Sequence, residues 1–284
     1  MMDEGMLRAT APGSLWTAVD LVASTGSTNA DLLARAAASP DTPEGQVLVA
    51  EEQTAGRGRL GRSWTSVPGA SLTFSVLLRP ASVPPGRRGW LPLLAGVAVA
   101  SAVRSVADGD GGDGGGVRAV LKWPNDVLVG DRKLAGILAE QSPDASAVVI
   151  GVGINVATSA DALPLSPSGL PATSLLVEGA SVSRETLLLS ILGRLESWYA
   201  AFRSDPDPTR TGLLDAYRSL CATLGQTVRV ELPVGRVLAG TATDIDSDGR
   251  LLIEESPGDL PKPDRKSTRL NSSHKTVSRM PSSA

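Results

Sequence analysis

Three arginines, Arg57, Arg59 and Arg62, fall within the stretch "TAGRGRLGRSW", interleaved with Gly56, Gly58 and Gly61. Glycines let a backbone approach an anion closely and expose successive N–H groups, and guanidinium forks match the oxygens of phosphate or carboxylate. The stretch is a candidate anion clamp; on spacing alone it is equally a solvated turn whose arginines pair with carboxylates of the body. Its glycines also satisfy G-x-G-x-x-G. A dinucleotide loop further requires a preceding strand, a helix opening at the loop and an acidic residue about 20 positions on. Only the strand, "VLVA", is present: Pro68-Gly69 and another strand-like run follow, and residues 75–85 contain neither Asp nor Glu. A P-loop is excluded because no Gly-Lys-Ser/Thr occurs.

A second chemical cluster is "LKWPNDVLVGDRKLAGILAE", in which Lys122, Trp123, Asn125 and Asp126 stand where a strand breaks at Pro124. Lys133 follows on the return strand of an expected hairpin, so Asp126 and Lys133 can face one cleft. A carboxylate beside arginines and a lysine could hold Mg²⁺ against phosphate oxygens, or be a surface ion pair at a Trp-Pro corner. A third stretch, "GVGINV", ends a strand with Asn155, whose side chain could meet a base or a phosphate or simply close the strand. The sole histidine, His274, and the sole cysteine, Cys221, leave no Ser/His/Asp or Cys/His nucleophile system, no disulfide and no cysteine metal cluster.

The elements that must position these residues follow from periodicity. "STNADLLARAAAS" reads as a helix over about 28–38 with Ser27 or Thr28 as cap, "QVLVAEEQ" as a strand and "SLTFSVLLRP" as an alternating strand closed by Pro80. "WLPLLAGVAVASAVRSVA" reads as a buried helix ended by the flexible "DGDGGDGGG", and "AVLKWP", "DVLVG", "KLAGILAEQ" and "AVVIGVGINV" as four strands, the middle two a hairpin through "GDR". Leu187, Ile191, Leu195, Trp198 and Phe202 mark a long helix over 183–203, and a second covers about 209–221. From about 224, "QTVRVELP", "RVLAGTATDID" and "RLLIEE" read as a small β module. Together these predict an α+β domain with a C-terminal barrel-like cap.

With 284 residues, 42% of them hydrophobic, the chain can bury one or two cores. No stretch is expected to reach the ~20 apolar residues of a bilayer span, and "MMDEGMLRAT" is no signal peptide, so a cytoplasmic protein is expected. Residues 264–284 differ abruptly in composition from the body and read as a non-native tail. Without Arg265, Lys266, Arg269, Lys275 and Arg279, its five basic residues, the formal net charge of −3 becomes −8. That acidity argues against a nucleic-acid surface.

"STN" before a helix, "EEQTAGRGRLGRSW", "KWPNDVLVGDRKLAGILAE" and "GVGINV", in this order, closely resemble the biotin–protein ligases (biotin–[acetyl-CoA-carboxylase] ligases), over about residues 20–255. The resemblance implies a mixed sheet with helices on one side over 20–222, then a small SH3-like barrel over 223–263, incomplete because "EESPGDLPKPD" runs into the tail. Residues 1–19 form an extension too short for a DNA-binding winged helix. It implies formation of biotinyl-5′-AMP from biotin and MgATP, then transfer to a lysine of a biotin carboxyl carrier domain, with no nucleic-acid or membrane partner and a homodimer left open. By the same resemblance Ser27, Thr28, Asn29, Gln53, Arg57, Gly58, Arg59, Lys133 and Gly136 bind biotin. Arg59, Arg62, Trp64, Asn125, Lys133 and Asn155 serve ATP, while Arg57, Lys133 and Asp126 are catalytic, Asp126 being also the Mg²⁺ candidate. A lipoate ligase or octanoyltransferase relative, or an inactive biotin-binding paralogue, are the alternatives; Cys221 lies outside every motif, against a cysteine transferase.

Overall fold

The computed structural model describes residues 2, 5, 15–39, 41–107, 116–164, 169–231, 237–255 and 268–271. In chain order the elements are β1 (Ala18–Thr25), α1 (Thr28–Ala38), β2 (Gln46–Gln53), β3 (Ser71–Leu78), α2 (Trp90–Ala107), β4 (Ala119–Lys122), β5 (Asp126–Val129), β6 (Arg132–Gln141) and β7 (Val148–Asn155). Then come α3 (Arg184–Ser204), α4 (Leu213–Leu220), β8 (Thr227–Glu231), β9 (Val237–Ile245), β10 (Leu251–Glu255) and β11 (Thr268–Asn271). Most of the expected elements form within a residue or two of the predicted bounds, although α4 starts later than expected. β1 is an addition: "AVDLVAST" lacks clean alternation and is recognisable only through its parallel pairing with β2. The glycine-rich linker expected after α2 lies, but for Gly116, outside the described residues.

The first seven strands form one sheet in the order β1-β2-β3-β7-β6-β5-β4, in which only the β1–β2 pair is parallel. Its two faces are sorted by strand alternation. Val47 and Val49, Leu72, Phe74, Val76 and Leu78, and Ile150, Val152 and Ile154 point into the main core with α2, α3 and α4. On the opposite face Leu48, Leu77 and Val149 meet Leu32 and Ala36 of α1. Ser71, Thr73 and Ser75 share that second face by parity, and α1 covers only part of it. What α1 leaves uncovered is the floor of a cleft.

α2 corrects one expectation. By length and composition Pro85–Ala107, with a window of mean hydropathy 1.6, matches a bilayer span. Here it is the central core helix: Trp90, Leu91, Leu94, Ala98 and Ala102 are buried, and its Gly96 lets Leu121 and Ile137 approach.

Among the described residues the C-terminal module is an open sheet, β10-β9-β8-β11, and the barrel is not closed. β8, β9 and β10 are antiparallel, and β11, within the stretch read as a tail, pairs in parallel with the edge of β8 through the backbone. The β9–β10 turn docks on the larger domain. Trp90 donates its indole N–H to the Ser247 carbonyl at 2.9 Å, and Trp123 donates to the Gly249 carbonyl at 3.0 Å. A Cβ on Gly89 would lie 2.7 Å from the Asp248 carbonyl oxygen. Gly89→Ala is therefore expected to push this turn away and cost about 1–3 kcal/mol, read as a lower urea midpoint; an unchanged midpoint would show that the turn has room to give.

Candidate active site

Strand register builds the cleft. Thr73 of β3 is opposite Gly153 of β7, Gly153 opposite Gly136 of β6, Gly136 opposite Asp126 of β5, and Asp126 opposite Lys122 of β4. Directly opposed residues point to the same face, so these positions form one line running across the strands. With neighbouring strands about 4.8 Å apart, the line spans roughly 19 Å. A hydroxyl stands at one end, two glycines in the middle, and a carboxylate and a lysine at the other end.

The glycine pair is a floor on which Trp64 lies. A Cβ on Gly153 would sit 2.3–2.5 Å from the indole, and one on Gly136 would be 3.3 Å from its Cζ3. Lys133 Nζ stands 5.8 Å from the centroid of the same ring, a cation–π contact. The loop carrying Trp64 is anchored by Thr54 N–H to the Thr25 carbonyl, Ala55 N–H to Gly26 and Trp64 N–H to Gly56, each 2.9 Å. Between those anchors the chain makes an antiparallel bridge between Arg57 and Ser63, with Gly58 N–H donating to the Arg62 carbonyl at 2.7 Å, around the three-residue 3-10 turn Arg59–Gly61, in which Gly61 has φ +71. No α-helix opens there, so the loop is not a dinucleotide site.

At the charged end Lys133 Nζ pairs with Asp126 Oδ1 at 2.7 Å. Asn125 donates to the Ile137 carbonyl at 3.0 Å and accepts from Ile137 N–H at 2.9 Å, which ties the turn between β4 and β5 to β6. Lys133 is fixed by residues 171–173: its N–H donates to Pro171 and its carbonyl accepts from Thr173, both at 2.8 Å. Lys122 is 7% exposed, and burial lowers its pKa, opposed by Asp126 and reinforced by Lys133 and Arg62. Burial also lowers the pKa of Arg59, again opposed by Asp126. Several cations thus converge on one carboxylate, which leaves a positive potential suited to an anion.

The opposite end is a hydrogen-bond network at the start of α1. Ser27 caps the helix by accepting from Ala30 N–H. Gln53 Oε1 accepts from Thr28 N–H at 2.9 Å and from its hydroxyl at 3.1 Å, while Ser75 bonds both Thr28 Oγ1 and Asn29 Oδ1 at 2.6 Å. Asn29 also donates to Glu140 at 2.8 Å, and Glu140 lies 3.9 Å from Arg57. Asn29 fills the space over Gly151, where a Cβ would be 2.2 Å from its Oδ1.

Every residue given a binding or catalytic role from the sequence lines this cleft, the triplet Ser27 to Asn29, the arginines Arg57, Arg59 and Arg62, and Asn155 included. Asp126 Oδ1 lies 2.7 Å from Lys133 Nζ but is buried without a well-formed hydrogen bond, and no group of three or more His, Cys, Asp or Glu forms a metal cage among the described residues, so a Mg²⁺ beside Asp126 would take most of its ligands from phosphate oxygens. Reading the sequence passed over Thr73, Ser75 and Glu140 and gave Lys122 no role. The alternation of "SLTFSV" was the available signal for Thr73 and Ser75, since its polar positions prove as buried as its apolar ones.

The family model described as biotin/lipoate A/B protein ligase matches residues 21–155, and that of the biotin protein ligase C-terminal domain matches 223–277. The chain is 43% identical over 256 residues to the biotin–[acetyl-CoA-carboxylase] ligase of Mycobacterium tuberculosis, covering 89% of this chain and 90% of that protein. The biotin protein ligase from Aquifex aeolicus, solved in complex with biotin and ATP, superposes with a TM-score of 0.66 at 27% identity over 84% of this chain and 92% of its own. The Leishmania major enzyme in complex with biotinyl-5-AMP gives 0.59 at 25% identity, over 86% and 97%.

The floor itself can be tested. Gly153→Ala is expected to lift the indole of Trp64 and loosen the loop it anchors, so that trypsin cleaves after Arg57, Arg59 or Arg62 several-fold faster under native conditions. Unchanged cleavage would mean that Trp64 does not hold the loop down.

Proposed function

The chain belongs to the biotin/lipoate A/B protein ligase family, and from that premise we propose how its cleft carries out biotin ligation. The chain is an ATP-dependent ligase acting on biotin. A carboxylate oxygen of biotin attacks the α-phosphorus of ATP, the bond from that phosphorus to the bridging oxygen breaks, and pyrophosphate leaves. The neutral amine of a carrier lysine then attacks the acyl carbon of biotinyl-5′-AMP, and AMP departs as the amide forms. Both steps join groups that are already reactive. The burden on the protein is to bring two anions together and to stabilise the charge that builds on phosphate.

The observation that carries this reading is the line across the sheet, polar and uncharged at one end and cationic at the other. Biotin's ring system would lie toward Thr28 and Gln53, and its carboxylate would meet the α-phosphate over Lys133. Lys133 stabilises the charge developing there, Asp126 holds Lys133 in place, and Arg57 and Arg59 close over the acyl phosphate. Lys122 and Arg62 face the remaining phosphates, while Trp64 and Asn155 take the nucleoside. A Mg²⁺ entering with ATP would be held by phosphate oxygens beside Asp126 and would offset phosphate charge. A cytoplasmic setting, with a carboxylase carrier domain as partner, fits these substrates.

Incubation of the protein with biotin, MgATP and a purified carrier domain is expected to yield biotinylated carrier, detected by mass spectrometry. Absence of both this product and biotin-dependent pyrophosphate release would overturn the assignment. Lys133→Ala and Arg57→Ala are expected to lower kcat by about 10²–10³-fold, the scale set by loss of one charge-stabilising group. Near-normal turnover in both would sink their roles.

Lys122 gives a prediction of opposite signs. Its folded pKa lies below that of the unfolded chain, so its burial penalty is fully present below the folded pKa and fades as pH rises through that value toward the unfolded one. Lys122→Met is therefore expected to stabilise the ligand-free protein near pH 7 by on the order of 1 kcal/mol, less at alkaline pH, while turnover falls. A variant less stable at every pH would contradict this.

A further inference from the structure

Three hydroxyl residues on β3 alternate on the sheet face that α1 partly covers, and register gives each a partner on β7: Ser71 with Asn155, Thr73 with Gly153, Ser75 with Gly151. The outer two are satisfied within the protein. Ser71 Oγ accepts from Val67 N–H at 3.1 Å. Ser75 Oγ bonds Thr28 and Asn29, and Asn29 fills the space over Gly151. The middle hydroxyl differs. Thr73 is 4% exposed, and its Oγ1 has no hydrogen-bond partner among the described residues, although it lines the cleft. A glycine stands opposite, so no side chain directly across on β7 meets it.

A buried hydroxyl without a partner keeps its full desolvation cost, and valine would fit the same space without that cost. An unmet hydroxyl whose neighbouring hydroxyls are both met, beside a glycine floor, is what a ligand-binding residue looks like in the ligand-free protein. We propose that Thr73 is a further binding residue for the acid substrate, its hydroxyl hydrogen-bonding the polar bicyclic ring of biotin. The inference rests on the reading of the cleft as a biotin site. Position selects biotin over the nucleotide. Thr73 is one alternation along β3 from Ser75 and its bonds to Thr28 and Asn29, and three strand spacings, about 14 Å, from Asp126 at the charged end. Once the Trp64 indole lifts off Gly153, biotin laid with its carboxylate toward Lys133 brings its ring system over β7 and β3. The Thr73 hydroxyl can then donate to the ureido carbonyl or accept from a ureido N–H.

Thr73→Val and Thr73→Ser separate this from a structural role. Calorimetric titration of each full-length variant with D-biotin alone, and separately with ATP alone, is paired with the Tm of the ligand-free protein. Thr73→Val is expected to weaken biotin binding at least tenfold, leave ATP binding within twofold and raise the ligand-free Tm. Thr73→Ser is expected to recover most of the biotin affinity. Parental biotin affinity in Thr73→Val overturns the proposal, as does a loss confined to ATP. So does weaker biotin binding with a lowered Tm that Thr73→Ser fails to rescue, which marks a packing residue. If the parent protein binds no biotin at all, the reading of the cleft fails first, and the parental titration shows that independently of the variants.

Discussion

A single carboxylate, Asp126, faces a cleft into which Arg59, Lys122 and Lys133 also project, and its 2.7 Å pair with Lys133 is the contact on which the charged end depends. Cations gathered in a half-buried space repel one another and lose hydration, and burial already lowers the pKa of Lys122 and Arg59. One anion makes the cluster tolerable in the empty protein. A second carboxylate would halve the excess positive charge and weaken the potential that draws phosphate and carboxylate together. The balance leaves the site net positive and pre-organised, so little reorganisation remains to be done when charge develops on the α-phosphate.

Geometry follows from strand register. The functional groups lie across the sheet, one per strand, so their spacing is set by the distance between strands. A slip of one residue in any pairing would move that strand's contribution to the core face. Glycine at 136 and 153 keeps the middle of the line flat enough for a ring to lie on the backbone, and in this structure the ring is Trp64. The arginine loop is thereby tied down through its tryptophan, and between its anchors it is closed by the Arg57–Ser63 bridge and one 3-10 turn.

The C-terminal module reaches the same line indirectly. Trp123, next to Lys122, donates its indole N–H to the Gly249 carbonyl, and its backbone N–H donates to Thr223 Oγ1 at 2.9 Å. The turn carrying Lys122, Asn125 and Asp126 is therefore braced from the second domain as well as from β6, and an open sheet suffices for that brace because the β9–β10 turn makes the contact.

The sequence alone determined the identity of the chemical groups and most of the elements. Arginines set among glycines, the "KWPND" corner followed by Lys133, and apolar periodicity are local features, readable because side-chain type and spacing state them directly. Tertiary structure decided which groups meet. β1 became a strand only by pairing with a segment 28 positions away, Ala18 with Gln46. α2, apolar enough for a bilayer, became a core helix because the sheet and α3 covered it. Lys122 and Thr73 acquired meaning only when register set them at opposite ends of one line. Pairing between distant strands depends on how competing surfaces are buried together, and no local window of sequence contains that information.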